Sequence, residues 1–296
     1  MCIKCHLTWN EVQVNNFAIR NYCDLMPVLL STRAQSRKTG KFVRSTHGSQ
    51  SLERGLALLR AFRLGSGVMT NADLADRTSL PRPTVSRLTR SLVDAGFLVY
   101  DVGARGYRLS AVCLSLALSY RMNLTPLDLA LPLMRNVAEG RKVNIGLAVA
   151  DQTEMVYLDS VRLSRMSLFR RLVPGSRIPI GLTSLGRAFM SAMQPTDRKL
   201  LLARLASEFG TSWPDISTAI RKSLVQIQRT GYCWAEWQTG VVALATPLSD
   251  PDGQKYALNI SLPLQQGSAE QLAMEHGELL MTLAHDIDKR WQASWL

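Results

Sequence analysis

Four histidines serve all 296 residues, and their placement excludes most catalysis: His6 and His47 fall before residue 50, His276 and His285 in the last stretch of the chain. None lies beside a loop that could close a cleft. There is no Gly-x-Ser-x-Gly elbow, no His-Glu-x-x-His and no Gly-x-x-x-x-Gly-Lys phosphate loop. Covalent or metal catalysis needs such a constellation, so the chain reads as a non-enzyme without cofactor or metal. An enzyme acting on a small carboxylate would need groups that are not there. No apolar run approaches the ~18–20 residues that span a bilayer, so no membrane partner is expected. The start of the chain lacks the basic, apolar and small-residue progression of a secretory signal. Cysteines number five, odd and scattered, which makes no disulfide framework and points to a reducing cytoplasm. Cys2-Ile-Lys-Cys5-His6 has the spacing of covalent haem attachment. That chemistry requires export, so the spacing is read as chance.

Positive charge is what the chain has in excess. The net charge is +12, and residues 33–110 hold 14 Lys/Arg against 5 Asp/Glu, whereas residues 111–296 hold 19 against 16. Such an asymmetry attracts polyanions to one part of the molecule. Residues 1–50, with Arg33, Arg37, Lys38, Lys41 and Arg44 among Ser, Thr and Gly, read as a disordered basic arm.

Order is expected from Ser51. Leu52, Leu56, Leu59 and Phe62 repeat at helical spacing, and Gly65-Ser-Gly67 ends that helix. Thr70-Asn-Ala-Asp73 has the form of a capping box, opening a short helix to about Arg77. After a turn at Thr78-Ser79, Pro81 and Pro83 fall in the first turn of a further helix, where a missing N–H costs little. Val85, Leu88 and Leu92 share one side of it, while Pro83, Thr84, Arg87, Arg90 and Ser91 project from the other. Gly96 ends it. Residues 97–100 and 107–109 read as two strands around the turn Gly103-Ala-Arg-Gly106. A basic helix behind a turn, followed by a hairpin with an arginine at its tip, fits a winged helix-turn-helix over residues 51–110, whose partner is double-stranded DNA. Ala111 to Met122 is apolar on nearly every face, which predicts a linker and dimerisation helix over 111–123; packing on its own domain is the alternative.

From Leu124 the texture becomes helices alternating with strands. Helices are expected at 127–139, 184–193, 196–207, 215–229 and 268–292. Strands are expected at 143–150, 155–160, 166–172 and within 234–263, with a hairpin turn at Asp250-Pro-Asp-Gly253. The last helix should turn Leu272, Leu279, Leu280, Leu283, Ile287 and Trp291 inward. Residues 124–296 are thus an α+β domain with a mostly antiparallel sheet.

In order and spacing these segments resemble the IclR family of bacterial transcriptional regulators. Ser51-Leu-Glu-Arg-Gly-Leu-Ala-Leu-Leu59 looks like the family's first helix, and Leu80-Pro-Arg-Pro-Thr-Val-Ser-Arg-Leu88 like its recognition helix. Val156-Tyr-Leu-Asp159, Thr183-Ser-Leu-Gly-Arg-Ala188, Gly231-Tyr232, Gly240-Val-Val-Ala-Leu-Ala-Thr-Pro247 and Ala257-Leu-Asn-Ile-Ser261 resemble its effector domain. The likeness covers about residues 51–292. It implies a winged-helix domain, a linker helix, and a GAF-like domain that binds a small metabolite, in a homodimer or tetramer. The chain departs from the family at Cys233-Trp-Ala-Glu-Trp-Gln238, shorter and with one acid, at Ala243 in place of a frequent cysteine, and at Asn259 in place of a frequent serine.

On the recognition helix, Arg87 is central to the outer face and suited to a guanine, with Thr84 and Ser86 as shorter hydrogen-bonding groups beside it. Pro83 shares that face. Arg82 and Arg90 are placed to hold phosphates, and Arg105 to enter the minor groove or grip backbone. In the second domain, Gly181-Leu182-Thr183-Ser184 leads into a helix whose N-terminus suits the carboxylate of a small organic acid. By resemblance, Glu236, Ala243, Asn259 and Ser261 form the facing wall. Trp234 and Trp237 are either an aromatic side of that pocket or core. The expected function is sequence-specific DNA binding modulated by an organic acid. A ligand-independent architectural DNA-binding protein is the alternative.

Overall fold

The computed structural model of the protein describes residues 48–162, 172–264 and 268–295. The expected basic arm lies outside the described residues up to residue 47, and the strand expected at 166–172 lies outside them up to residue 171.

Three helices and a hairpin build the head. Helix α1, Gln50–Ala61, opens on Ser49, whose hydroxyl accepts from the N–H of Leu52. Its buried face is Gly55, Leu58 and Ala61, while Leu52 and Leu56 stay exposed. The stripe expected at Leu52, Leu56, Leu59 and Phe62 is therefore rotated. Two apolar stripes run along this helix, and packing selects the one centred on Leu58. Helix α2, Asn71–Thr78, carries the capping box: the Thr70 hydroxyl accepts from Asp73 N at 3.2 Å and the Asp73 carboxylate accepts from Thr70 N at 2.8 Å. Ser79 turns the chain at φ 56°. Helix α3, Arg82–Asp94, seats Val85 and Leu88 against Leu58, Met69 and Leu74. Strands β1, Leu98–Asp101, and β2, Gly106–Leu109, pair antiparallel. Met69 and Tyr107 exchange backbone hydrogen bonds of 2.8 and 2.7 Å, which ties the hairpin to the segment before α2. Gly106 is required there: a Cβ would lie 2.8 Å from the Met69 carbonyl oxygen.

Helix α4, Ala111–Met122, has no buried residue. Helix α5, Thr125–Arg141, then leads into a six-stranded antiparallel sheet. Its strands are β3 (Asn144–Asp151), β4 (Glu154–Val161), β5 (Arg177–Pro179), β6 (Cys233–Gln238), β7 (Val241–Ser249) and β8 (Lys255–Pro263), ordered β5-β4-β3-β8-β7-β6. One face is covered by α5 and α9, Ala269–Ser294, around Leu127, Met134, Leu244, Ile260, Leu283 and Trp291. The Trp291 indole donates to the Pro126 carbonyl at 2.7 Å and leans on Tyr256. Leu280, Leu283, Ile287 and Trp291 of the last helix are buried as the pattern requires, and Leu272 and Leu279 are half-buried on the same core. The other face meets α6 (Ser184–Ser191), α7 (Pro195–Phe209) and α8 (Trp213–Thr230). The short strand β5 pairs with the start of β4 at the sheet edge.

Candidate functional site

The head presents one charged flank. Val85, Leu88 and Thr89 of α3 face inward, and Arg82, Pro83, Ser86, Arg87 and Arg90 are exposed, with Thr84 half-buried beside them. The Thr89 hydroxyl lies 3.2 Å from Asn71 Oδ1 and donates to Val85 O at 3.0 Å, which fixes the roll of α3 against α2. None of the exposed arginines is in an ion pair among the described residues. Arg105 stands at the hairpin tip at φ 49°, a left-handed conformation unusual for a side chain with a Cβ. Tyr100 and Tyr107 pack edge to face at 5.2 Å and stiffen the hairpin. Between hairpin and helices lies a depression of about 540 Å³ where Arg90 and Arg105 meet the N-terminal end of α2 at Thr70 and Asn71. Two cations around one hollow favour a phosphate.

In the second half, the loop before α6 is tightly wound. The Thr183 hydroxyl accepts from Gly186 N at 3.2 Å and donates to Pro179 O at 2.9 Å. It is thus committed to capping rather than available to a ligand as the sequence led us to expect. A Cβ on Gly186 would lie 2.0 Å from the Ile180 carbonyl oxygen. Gly181 is buried, with its carbonyl accepting from Arg187.

Opposite α6, the sheet offers a floor of small and polar side chains. Register places Gly146, Asn259, Ala245 and Cys233 in one row across four strands, and Asn144, Ser261, Ala243 and Ala235 in the next. The Cys233 thiol, pushed up to about 12 by burial, contacts the Ser184 carbonyl at 3.5 Å, so α6 begins over this floor. Ser184 Oγ, Asn259 Oδ1 and Ser261 Oγ are buried without a hydrogen-bond partner. Buried polar atoms are costly to leave unpaired. Their accumulation on one face marks a place for a ligand.

Two expected residues lie elsewhere. Glu236 is exposed, accepts from Gly240 N at 3.1 Å, and joins Leu182 and Trp234 in a groove of about 1080 Å³ along the free edge of β6. Cys233 and Ala235 face the floor, so strand alternation turns Glu236, like Trp234, to the other face. Trp234 packs toward the α5–α9 core and Trp237 toward the α6–α8 core, so they do not form one aromatic wall. The charged groups of the edge groove reach water, whereas the floor atoms do not. The floor is therefore the candidate ligand site.

The sequence reasoning missed Tyr157 and Arg162. The Tyr157 phenol is buried, within hydrogen-bonding reach of Asn259 and Arg162, and burial pushes it up to about 12. Arg162 lies with its guanidinium carbon 6.0 Å from the Tyr157 ring centroid, and its Nε is buried without a partner. Gly146 makes room for this arrangement: a Cβ there would lie 2.3 Å from the Tyr157 ring and 2.8 Å from Asn259 Oδ1. The alternation of Val156-Tyr-Leu-Asp159 was the available signal.

Head and sheet domain are joined by charge. Arg60 of α1 donates to Asp151 at 2.6 Å, and Arg63 just beyond α1 donates to Glu154 at 2.7 Å. Arg177 of β5 bonds both acids at the tip of the β3–β4 hairpin. Burial alone would raise both carboxyls, but the arginines outweigh it and hold them below the ordinary range.

Comparison with known proteins covers both halves. The model of the IclR helix-turn-helix domain matches residues 51–102, and that of the bacterial transcriptional regulator IclR C-terminal domain matches residues 120–289. An IclR family transcriptional regulator from Brucella abortus is 31% identical in crystal structure, with a TM-score of 0.75, over 88% of this chain and 98% of that one. The Pca regulon regulatory protein of Pseudomonas putida is 27% identical over 80% of this chain and 82% of its own. An IclR homolog from Microbacterium hydrocarbonoxydans, complexed with 4-hydroxybenzoate, shares the fold at 24% identity and a TM-score of 0.63, over 82% and 99% of the two chains.

Proposed function

The chain belongs to the IclR family of bacterial transcriptional regulators, and from that premise we propose how its residues divide the work. It is a DNA-binding regulator modulated by a small organic acid. Helix α3 enters the major groove, where Arg87 reads a guanine with Thr84 and Ser86 beside it and Pro83 against the groove wall. Arg82 and Arg90 hold phosphates, and Arg105 reaches the adjacent backbone or minor groove. The observation that carries this is the flank of α3 where Arg82, Pro83, Ser86, Arg87 and Arg90 are exposed, basic and without an ion pair among the described residues.

The effector binds over the floor of the sheet, at Ser184, Ala243, Asn259 and Ser261, below the start of α6. The complex of the Microbacterium homolog with 4-hydroxybenzoate supports an organic acid as the class. Helix α4 pairs with its copy in a dimer: Leu114, Leu116, Leu118 and Tyr120 are all more than half exposed in the single chain. The working compartment is the cytoplasm, and the chain carries no catalytic activity.

Binding to the operator in a salt titration tests the DNA assignment. Arg87→Ala should lose about 1–3 kcal/mol and relax discrimination at one position of each half-site, whereas Arg90→Ala should weaken all sequences alike and lower the salt slope by about one. Unchanged discrimination in the Arg87 variant removes it from base reading.

A further inference from the structure

We propose that Arg162, supported by Tyr157, holds the carboxylate of the effector, and that the effector is a hydroxy acid whose hydroxyl is received by Asn259. This rests on the effector reading above and names the class of ligand at that site.

Arg162 is an unbalanced charge. Arg177 meets Asp151 and Glu154; Arg187 donates to Gly181 O and Ser223 Oγ; Arg198 donates to Met190 O. Arg162 meets neither an acid nor a carbonyl among the described residues, only the Tyr157 phenol. Among the described residues no carboxylate lies within ion-pair distance of it, its Nε is buried and unpartnered, and its neighbour is the Tyr157 ring. Arg162 is half-buried with its Nε enclosed, and a partly desolvated cation without a counter-charge favours the arrival of an anion. The planar fork of a guanidinium matches a carboxylate with two parallel bonds.

Asn259 supplies the second half. Its side chain is directed to the Tyr157 phenol, and Oδ1 is left as a buried acceptor. Only a donor satisfies it. An ammonium group would place a second cation beside Arg162, so the donor is a neutral hydroxyl. Ser184 and Ser261 can donate or accept, and take what the rest of the ligand offers. The short side chains of Ala243 and Ala245, beside Asn259 and Ser261 in the sheet, leave the floor low.

Thermal unfolding and calorimetry of the full chain test this with paired probes: lactate and lactamide, mandelate and mandelamide, 4-hydroxybenzoate and 4-hydroxybenzamide, with propionate, phenylacetate and benzoate as acids lacking the hydroxyl. At least one hydroxy acid should stabilise the protein more than both its amide and its hydroxyl-free partner. Arg162→Met should weaken that acid about 10–100-fold, and Arg162→Lys, which keeps charge but loses the fork, by less. Asn259→Ala should erase the preference for the hydroxyl. Ligand-free Arg162→Met should unfold at the wild-type temperature or up to about 2 °C higher, because a half-buried charge without a counter-charge is gone. A Met variant that binds the acid as wild type does, or that unfolds at a lower temperature when ligand-free, overturns the assignment. If amides stabilise as well as acids, the effector site stands and the carboxylate clamp falls. If no member of either series acts, the effector reading falls with it.

Discussion

The charged junction between α1 and the β3–β4 hairpin makes a graded prediction. Arg60 and Arg63 are 42% and 41% exposed, and their partners Asp151 and Glu154 are 31% and 26% exposed. Pairs this accessible contribute about 0.2–1 kcal/mol each, and salt screens them. Replacing both arginines by alanine should therefore cost about 0.5–2 kcal/mol. Arg177 is less exposed and bonds both acids. Its loss also leaves two carboxylates facing each other, and Arg177→Ala should cost about 1.5–3 kcal/mol. For a chain of this size, each kcal/mol moves the melting temperature by about 2–4 °C.

The pH dependence has a definite sign. Both carboxyls are held below their ordinary values in the folded protein. Their contribution is thus complete above the unfolded range, around pH 4, and is lost as pH falls through the lower folded values. Wild type and the Arg60/Arg63 variant should differ at pH 7 in low salt, converge toward about pH 2–3, and converge again in about 1 M salt. Melting curves on a pH and salt grid read this directly. A gap that persists at low pH means the arginines act by packing their stems, and no gap at pH 7 means the bonds do not form in solution.

Three further outcomes follow from single positions. Arg105→Gly relieves a left-handed residue and removes a cation, so stability should hold or rise by up to about 1 kcal/mol while DNA affinity and its salt slope fall; a joint loss in urea unfolding and DNA binding would separate Arg105 from this role. Gly186→Ala forces a methyl group onto the Ile180 carbonyl, and chemical denaturation should show a loss of about 1–3 kcal/mol. Leu116→Glu on α4 should move the protein toward monomer in sedimentation, since a charge there meets the partner helix; an unchanged mass places the dimer contact elsewhere.

The head was largely legible because its signals are local. The Thr70–Asp73 capping box, the proline-rich start of α3 and the glycine after it each act within a few residues. Even there, α1 shows the limit. Leu52 and Leu56 satisfy the helical period as well as Leu58 does, and only the position of α3 decides which stripe is buried. The sheet domain was legible in its elements but not in its site. Its floor exists because β3 is laid against β8, so that Gly146 pairs with Asn259, and residues more than a hundred positions apart leave no local trace of their pairing. Glu236 lies off the floor by strand alternation, since Cys233 and Ala235 take the floor-facing positions of β6. Arg162 was invisible from sequence because an arginine ending a strand is ordinarily solvated. What distinguishes it is the absence of a carboxylate among the described residues around a half-buried guanidinium, a property of three-dimensional surroundings. A ligand site defined by unbalanced groups is therefore the part of such a protein that sequence patterns describe least, since a pattern records which residues are present and not which of them lack a partner.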